Sequence, residues 1–451
     1  MSETAALAAF TADLSLTDVP EEVVERSKLA IRDFAGVALY GSQHPTGERI
    51  ASYVDATAPG TGATVLGRST ASPAGAALAN GTFGHAIDYD DTFESMVLHP
   101  TAPVFPTALA AAEHGDGTGE ELLAGYVAGV EVAFRVGHSI YPGHYDNGWH
   151  NTGTVGTFGA TAAAASVLGL DATAITRAFG IAASCSSSLK KNFGTMTKPL
   201  HPGHAAQMGI RAALLADSGF TADEAIFEDE LGYGSVMNPS GEYDPSIITT
   251  DLGERWGVSD VGFKPYPSGV ITHAAMEALR RLVVDADLTP ENVTRVTVTL
   301  EEAASEMLIH ADPRDELQAK FSIEFCLAAI LRERDVGVSE FSDEYVNAPA
   351  TRETMALVER AFEPDLFGGS FAGYGARVVV ETADGTNHTA EEKRAPGSPS
   401  NPLPEERWAA KFSECASVVL DRQEVQRVAD ALARLEEPGA LREFLTAARS
   451  V

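Results

Sequence analysis

The sequence predicts a mainly helical protein with α+β content: a large all-helical domain built from both chain ends, and a smaller inserted α+β domain. Three observations predict it. Helix signals fill the first half, strand-type alternation is confined to the middle, and helical periodicity returns near the C-terminus. These textures place the helical domain at 1–255 and 400–451 and the α+β domain at 256–399. Strands grouped between runs of helices indicate segregated layers rather than alternating βαβ units.

Each element has a local cause. Pro20 opens a helix with Glu21 and Glu22 in its first turn, and apolar positions continue to Leu39. Thr118 and Glu121 have capping-box spacing and start a helix running through Val130 and Phe134. The stretches Gly159–Leu168 and Ala172–Ser184 are rich in small residues, and Gly153, Gly156 and Gly159 recur every three positions. Close helix packing explains that repeat better than a dinucleotide loop, because no strand precedes it. In the middle, Val296, Val298 and Leu300 alternate as in a half-buried strand, and Asp384-Gly385 marks a hairpin turn after Val378-Val379-Val380. Helical patterns are interspersed at Ser268–Val284, Lys320–Arg334 and Thr351–Phe362. The proline-rich run from Ala395 to Pro404 reads as a linker, and Glu405–Arg449 as helix.

Composition narrows the function. With 451 residues, 44% hydrophobic, the chain can bury two or three ordinary cores. No leader-like basic-then-apolar start and no membrane-length apolar run is present, so a soluble cytoplasmic protein is expected. Cys185, Cys326 and Cys415 are isolated and read as inert thiols rather than a metal or disulfide framework. The net charge is −32, and only eight residues are lysine. Such a surface repels nucleic acid and anionic membranes, and it suits a cytosol where high salt screens self-repulsion. A halophilic habitat is the expectation.

Four polar clusters carry the candidate chemistry. Asp88-Tyr89-Asp90-Asp91-Thr92, followed by His99, sets three carboxylates in an otherwise apolar stretch. An exposed acidic loop is the bland alternative, and a hard cation would suit the oxygen donors, although the spacing is not that of an EF-hand loop. His144, Tyr145 and His150 lie in a Gly/Asp/Trp loop before the small-residue helix, where a helix N-terminus favours anions. Lys198, His201 and His204 follow, with Pro202 and Gly203 spoiling a helical metal pair. Lys198 sits in an apolar, loop-like context. Lys264, Tyr266 and His273 lie at the border of the two textures, and an ordinary proline-rich connector is the alternative there. The clusters offer cations, hydroxyls and imidazoles, with no phosphate cradle, flavin motif or thiolate. Two or three cations would hold a small di- or tricarboxylate while His or Asp moves a proton.

The ordered motifs Asp88-Tyr-Asp-Asp-Thr92 with His99-Pro100, Gly156-Thr-Phe-Gly-Ala160, Thr195-Met-Thr-Lys-Pro-Leu-His201 and Lys264-Pro-Tyr-Pro267 with Thr272-His273 resemble those of the MmgE/PrpD family. Ser218–Thr221, Ala319–Ile323 and Lys411-Phe412 add minor matches, so the resemblance spans nearly the whole chain. It implies a helical domain with an α+β lid, a homodimer, and carbanion chemistry beside a carboxylate without metal or organic cofactor. Asp88, His99, His150 and Lys198 are the implied catalytic positions. Thr92, Tyr145, Lys264, His201 and His273 complete the expected substrate-binding set.

Within that family, dehydration of 2-methylcitrate or a related hydroxy-polycarboxylate is the leading expectation. Epimerisation of a substituted succinate is the alternative, favoured by the likeness of Gly143–His150 and Asn192–Lys198 to the iminodisuccinate epimerase branch. Decarboxylation of cis-aconitate ranks lower. The decarboxylases look to carry His five residues after the fourth-motif lysine, and this chain has Gly269 there. A catalytically idle carboxylate-binding dimer is the non-enzymatic reading, and unpaired buried polar groups make it costly.

Overall fold

The computed structural model describes residues 1–93, 95–239, 243–302, 307–368 and 374–449. Packing divides the chain into two units. The first comprises Met1–Ala86, Asp90–Val261 and Phe412–Val451, and the second comprises Ile87–Tyr89 and Gly262–Lys411.

The first unit is built on helices. Asn151–Val167 packs against Thr101–His114, Gly119–Ile140 and Thr197–Asp217, and every residue from 151 to 165 is buried. A helix buried on all sides must bring small residues to its neighbours. A Cβ built on Gly129 would lie 2.6 Å from the Gly159 carbonyl oxygen, and one on Gly159 would lie 2.7 Å from that of Gly129. Backbones meet there directly, as the glycine repeat predicts. Pro20 caps a helix that runs on to Gln43, and the Thr118–Glu121 capping box forms. A two-stranded antiparallel piece, β1 (Pro59–Thr64) with β2 (Thr70–Ala71), is an addition the sequence did not reveal. Its Gly60 and Gly62 carry no strand propensity.

In the second unit β3 (Val293–Glu301), β4 (Val358–Glu363), β5 (Tyr374–Thr382) and β6 (Asn387–Arg394) form one sheet in the order β4-β3-β5-β6. β3 and β4 are parallel, and the other pairs are antiparallel. Val296, Val298 and Leu300 bury one face of β3, and helices His273–Asp285 and Ile323–Glu333 pack in the same core. The Asp384-Gly385 turn joins β5 to β6, with Gly385 at φ 87° and the Asp384 carboxylate accepting from Thr382 Oγ1 and Thr386 N.

Three readings are corrected. The helical pattern at Thr351–Phe362 divides into a helix, Pro349–Met355, and strand β4, because Val358–Glu363 finds a parallel partner in β3. The run 395–404 is not a free linker. Phe263 N–H donates to Gly397 O (2.8 Å), Gly397 N–H donates to Asn401 O (2.7 Å), and Ala395 is fully buried. These bonds hold the proline-rich segment in the second unit, whose chain reaches Lys411. Third, Lys198 is not in a loop: helix Thr197–Asp217 continues through Pro202 and carries His201 as well. Pro202 removes one bond early in the helix, and Gly203 lets the helix approach Thr82, whose Oγ1 would lie 2.2 Å from a Cβ there.

Candidate active site

The acidic run is buried rather than a solvated loop. Asp90 is 0% exposed, Asp91 1%, Thr92 2% and His99 6%. Buried carboxylates need partners. His85, the last residue of helix Pro73–His85, places its Nδ1 2.8 and 2.9 Å from the two Asp90 oxygens. Asp91 accepts from the Thr101 backbone N–H (3.2 Å) and hydroxyl, and Tyr126 OH lies 2.6 Å from that hydroxyl. Burial pushes the Asp91 carboxyl well above its usual range. Thr92 Oγ1 donates to Leu98 O at 3.4 Å.

His99 Nδ1 lies 2.7 Å from the carbonyl oxygen of Asp91. A carbonyl only accepts, so Nδ1 carries a proton, and whenever the ring is neutral its lone pair is on Nε2. The backbone N–H of His99 donates to Thr152 Oγ1 (3.1 Å), which fixes the residue at the N-terminus of helix Asn151–Val167.

Further imidazoles gather around this pair. The His85 and His99 ring centroids are 4.5 Å apart, and His150 lies 6.0 Å from His85 and 6.5 Å from His99. His150 Nδ1 meets His201 Nδ1 at 2.9 Å. Burial, then the nearby Lys198 cation, holds His150 well below its ordinary value and brings His201 down to about 4. Both rings are therefore neutral near pH 7. Lys198 is buried with its Nζ 5.4 Å from the Phe193 ring centroid. His85, Asp90 and His99 each offer a ligand atom within 4.8 Å of the others, a spacing a cation could occupy. The Nδ1 atoms of both rings already face protein acceptors, which leaves only Nε2 for such a role.

The second unit carries its own polar cluster. Lys264 Nζ donates to Asp88 Oδ1 (2.6 Å) and to the Asp88 carbonyl (2.9 Å), where Asp88 adopts a left-handed φ of 55°. Tyr89 OH donates to Pro265 O (3.0 Å), and Lys411 Nζ donates to the carbonyls of Tyr89 (2.7 Å) and Lys264 (3.1 Å). His273 Nε2 donates to Ser268 O at 3.2 Å, and burial, then Lys264, keeps the ring neutral.

The structure thus gathers His99, His150, Lys198 and His201 in the first unit, and Asp88, Lys264 and His273 in the second. Tyr145 packs near Tyr141 (6.4 Å between centroids) and carries Lys190 Nζ 3.6 Å from its own centroid. His85 was not legible as a site residue. Its only sequence signal is a histidine five positions before Asp90. The thiols are of the buried type: Cys415 and Cys326 are fully buried, and burial pushes Cys326 up to about 12.

Comparison with known proteins decides the family. The MmgE/PrpD N-terminal domain matches residues 5–246, and the MmgE/PrpD C-terminal domain matches 266–437. The chain belongs to the MmgE/PrpD family. Its relatives in this enzymatic family include the cis-aconitate decarboxylase of Homo sapiens, 28% identical over 438 residues, which covers 94% of this chain and 90% of the relative. The cis-aconitate decarboxylase of Mus musculus is 29% identical over 97% of this chain and 91% of its own. That of Aspergillus terreus is 27% identical over 97% and 94%. Among the described residues, no helix is long and apolar enough to cross a membrane.

Proposed function

We propose that this MmgE/PrpD member is a lyase that takes a proton from carbon beside a carboxylate and dehydrates 2-methylcitrate or a related hydroxy-polycarboxylate. The observation that carries this reading is His99, a buried imidazole whose Nδ1 is committed to the Asp91 carbonyl, so that Nε2 is the atom left to take a proton. A general base must be neutral, oriented and shielded from water. In the reaction the C–H pair becomes the second bond of a new C=C. The neighbouring C–O bond breaks, and hydroxide leaves as water with one proton. His150 and His201, held neutral beside Lys198, are the groups to relay that proton, and the Lys198 cation balances a substrate carboxylate.

Decarboxylation of cis-aconitate is the second reading, and the names of the relatives favour it. There the C–C bond to a carboxylate breaks, CO2 leaves, and the carbanion is protonated. Gly269 speaks for the first reading. A Cβ at this position would lie 3.3 Å from two carbons of the Phe321 ring, so an imidazole would require Phe321 to move.

The test is NMR of the purified protein in concentrated KCl with 2-methylcitrate, citrate, cis-aconitate and iminodisuccinate offered separately. Dehydration produces an ultraviolet-absorbing double bond from the hydroxy acids. CO2 release from cis-aconitate alone would establish the second reading, and inversion of iminodisuccinate without new absorbance would establish an epimerase. No turnover of any of the four would overturn the proposal.

A further inference from the structure

Lysine is scarce in this chain, with eight in all, yet Lys28, Lys198, Lys264, Lys320 and Lys411 are all buried. Most of these five have an evident reason for being inside. Lys28 reaches Glu25 (2.6 Å) and Glu436 (2.8 Å), Lys264 is bound to Asp88, and Lys411 donates to two carbonyls. Lys198 stands beside the imidazoles. Lys320 differs.

Its side chain is 2% exposed, and among the described residues no carboxylate or acceptor lies within bonding distance of Nζ. The contact its ammonium makes is with the face of Phe341, 4.8 Å from the centroid. An ammonium removed from water without a partner is strongly unfavourable, and a ring face recovers only part of that cost. Glu316, Asp88 and Lys264 act on it through space, as does the Cys326 thiol, without bonding to it. Burial outweighs them and brings Lys320 down to about 8, so the group is still mainly charged at neutral pH.

The backbone holds this lysine in place. Gly269 N–H donates to the Lys320 carbonyl at 2.9 Å, and Ser322 caps the helix Ile323–Glu333 that follows. The turn that makes this contact carries a buried atom without a partner. His273, anchored through Nε2 to Ser268, has a buried Nδ1 with no partner among the described residues. A neutral ring donating through Nε2 presents Nδ1 as an acceptor. The turn thus carries an unpaired acceptor and bonds the backbone of a lysine whose ammonium has no anionic partner among the described residues; a carboxylate and a hydroxyl would complement these two groups.

We infer that Lys320 Nζ is a carboxylate-binding position of the second unit, which helps determine that the protein selects a polycarboxylate. The inference rests on the polycarboxylate reading above. It gives a role to the lysine of the minor Ala319–Ile323 match, which the resemblance left without one.

The test uses the full-length protein with tricarballylate, an unreactive tricarboxylate, and with inorganic sulfate as a generic anion, at constant ionic strength. Lys320→Met should bind tricarballylate at least about tenfold more weakly by calorimetry. Its ligand-free Tm should match or exceed that of the wild type, because an uncompensated buried charge has gone. Wild-type affinity should also fall as pH rises through about 8, a slope that a structural role would not produce and that needs no variant to fold. Unchanged binding in Lys320→Met, a lowered Tm, or a wild-type affinity flat through that range would each overturn the inference. The two readings separate cleanly. Sulfate binding that depends on Lys320, without binding or turnover of any polycarboxylate, would leave the anion site standing and sink the functional proposal.

Discussion

The Nδ1 atoms of His150 and His201 lie 2.9 Å apart, so one ring donates and the other accepts across a single shared proton. Burial and the Lys198 cation oppose a second proton on the pair. This has a consequence for stability. An unfolded His201 takes up its proton below about 6.5, whereas the folded one resists until about 4. Across that window the unfolded chain binds more protons, so this term lowers stability as pH falls and leaves it untouched above the window. Thermal melts of wild type and His201→Asn from pH 7 downward should show a steeper loss for the wild type. Parallel curves would mean that the ring is not buried as described.

Lys198 and Lys264 should separate in their effects. Either alanine variant should lower kcat/KM on the true substrate by roughly tenfold to a hundredfold, since a charge-assisted bond to a carboxylate contributes about 1.5–3 kcal/mol. Lys264→Ala should also destabilise the fold by about 3–5 kcal/mol, because it strands the Asp88 carboxylate that it now meets at 2.6 Å. Lys198→Ala should change Tm little. Urea melts beside steady-state kinetics would check both, and wild-type kinetics in a variant would remove that lysine from the proposed chemistry.

The Gly129–Gly159 approach predicts a packing defect remote from the chemistry. Gly129→Ala places a methyl 2.6 Å from the Gly159 carbonyl oxygen, so the two helices must separate. Overpacking of this kind costs about 1–3 kcal/mol. Denaturant unfolding of the variant should show that loss, with kcat/KM per folded molecule nearly unchanged.

Much of this was legible because it is local. The Thr118–Glu121 box, the alternation at Val296, Val298 and Leu300, and the Asp384-Gly385 turn each depend on neighbours in sequence. What was not legible depends on distant partners. Val358–Glu363 carries a pattern compatible with helix and becomes a strand because β3 accepts it. Pro202 argues against a helix, yet the helix persists under tertiary packing. In a chain this acidic, nothing in Asp88–Asp91 reveals that the run is buried. His85 enters only once the fold brings its ring to Asp90. Lys320 lies in the minor Ala319–Ile323 match, but its burial against Phe341 shows only in the fold.

Turnover should survive exhaustive chelation. The expectation follows the family resemblance; His85 and His99 both commit Nδ1 to protein acceptors, which leaves Nε2 to exchange a proton or to meet a cation, so the experiment decides between the two. Kinetics after dialysis against EDTA should match untreated protein. Loss of activity restored by a divalent ion would make Asp90, His85 and His99 ligands instead.

His99 offers the sharpest test of the proton-transfer reading. Its ring is held at both ends of the residue: Nδ1 donates to Asp91 O at 2.7 Å, and the backbone N–H donates to Thr152 Oγ1 at 3.1 Å. A base fixed in this way acts on the transition state more than on the bound substrate, so His99→Gln should lower kcat by about 10²–10⁴ and change KM much less. His150→Gln should likewise act mainly on kcat if it relays the proton. Thr152→Val removes only the acceptor for the His99 backbone. It should cost less than His99→Gln, while tilting the ring enough to lower kcat measurably. Solvent-exchange NMR adds an independent readout, because wild-type protein should exchange the substrate's α-proton with deuterium and His99→Gln should not. If His99→Gln retained both turnover and exchange, the base would have to be sought elsewhere among His85, His150 and His201.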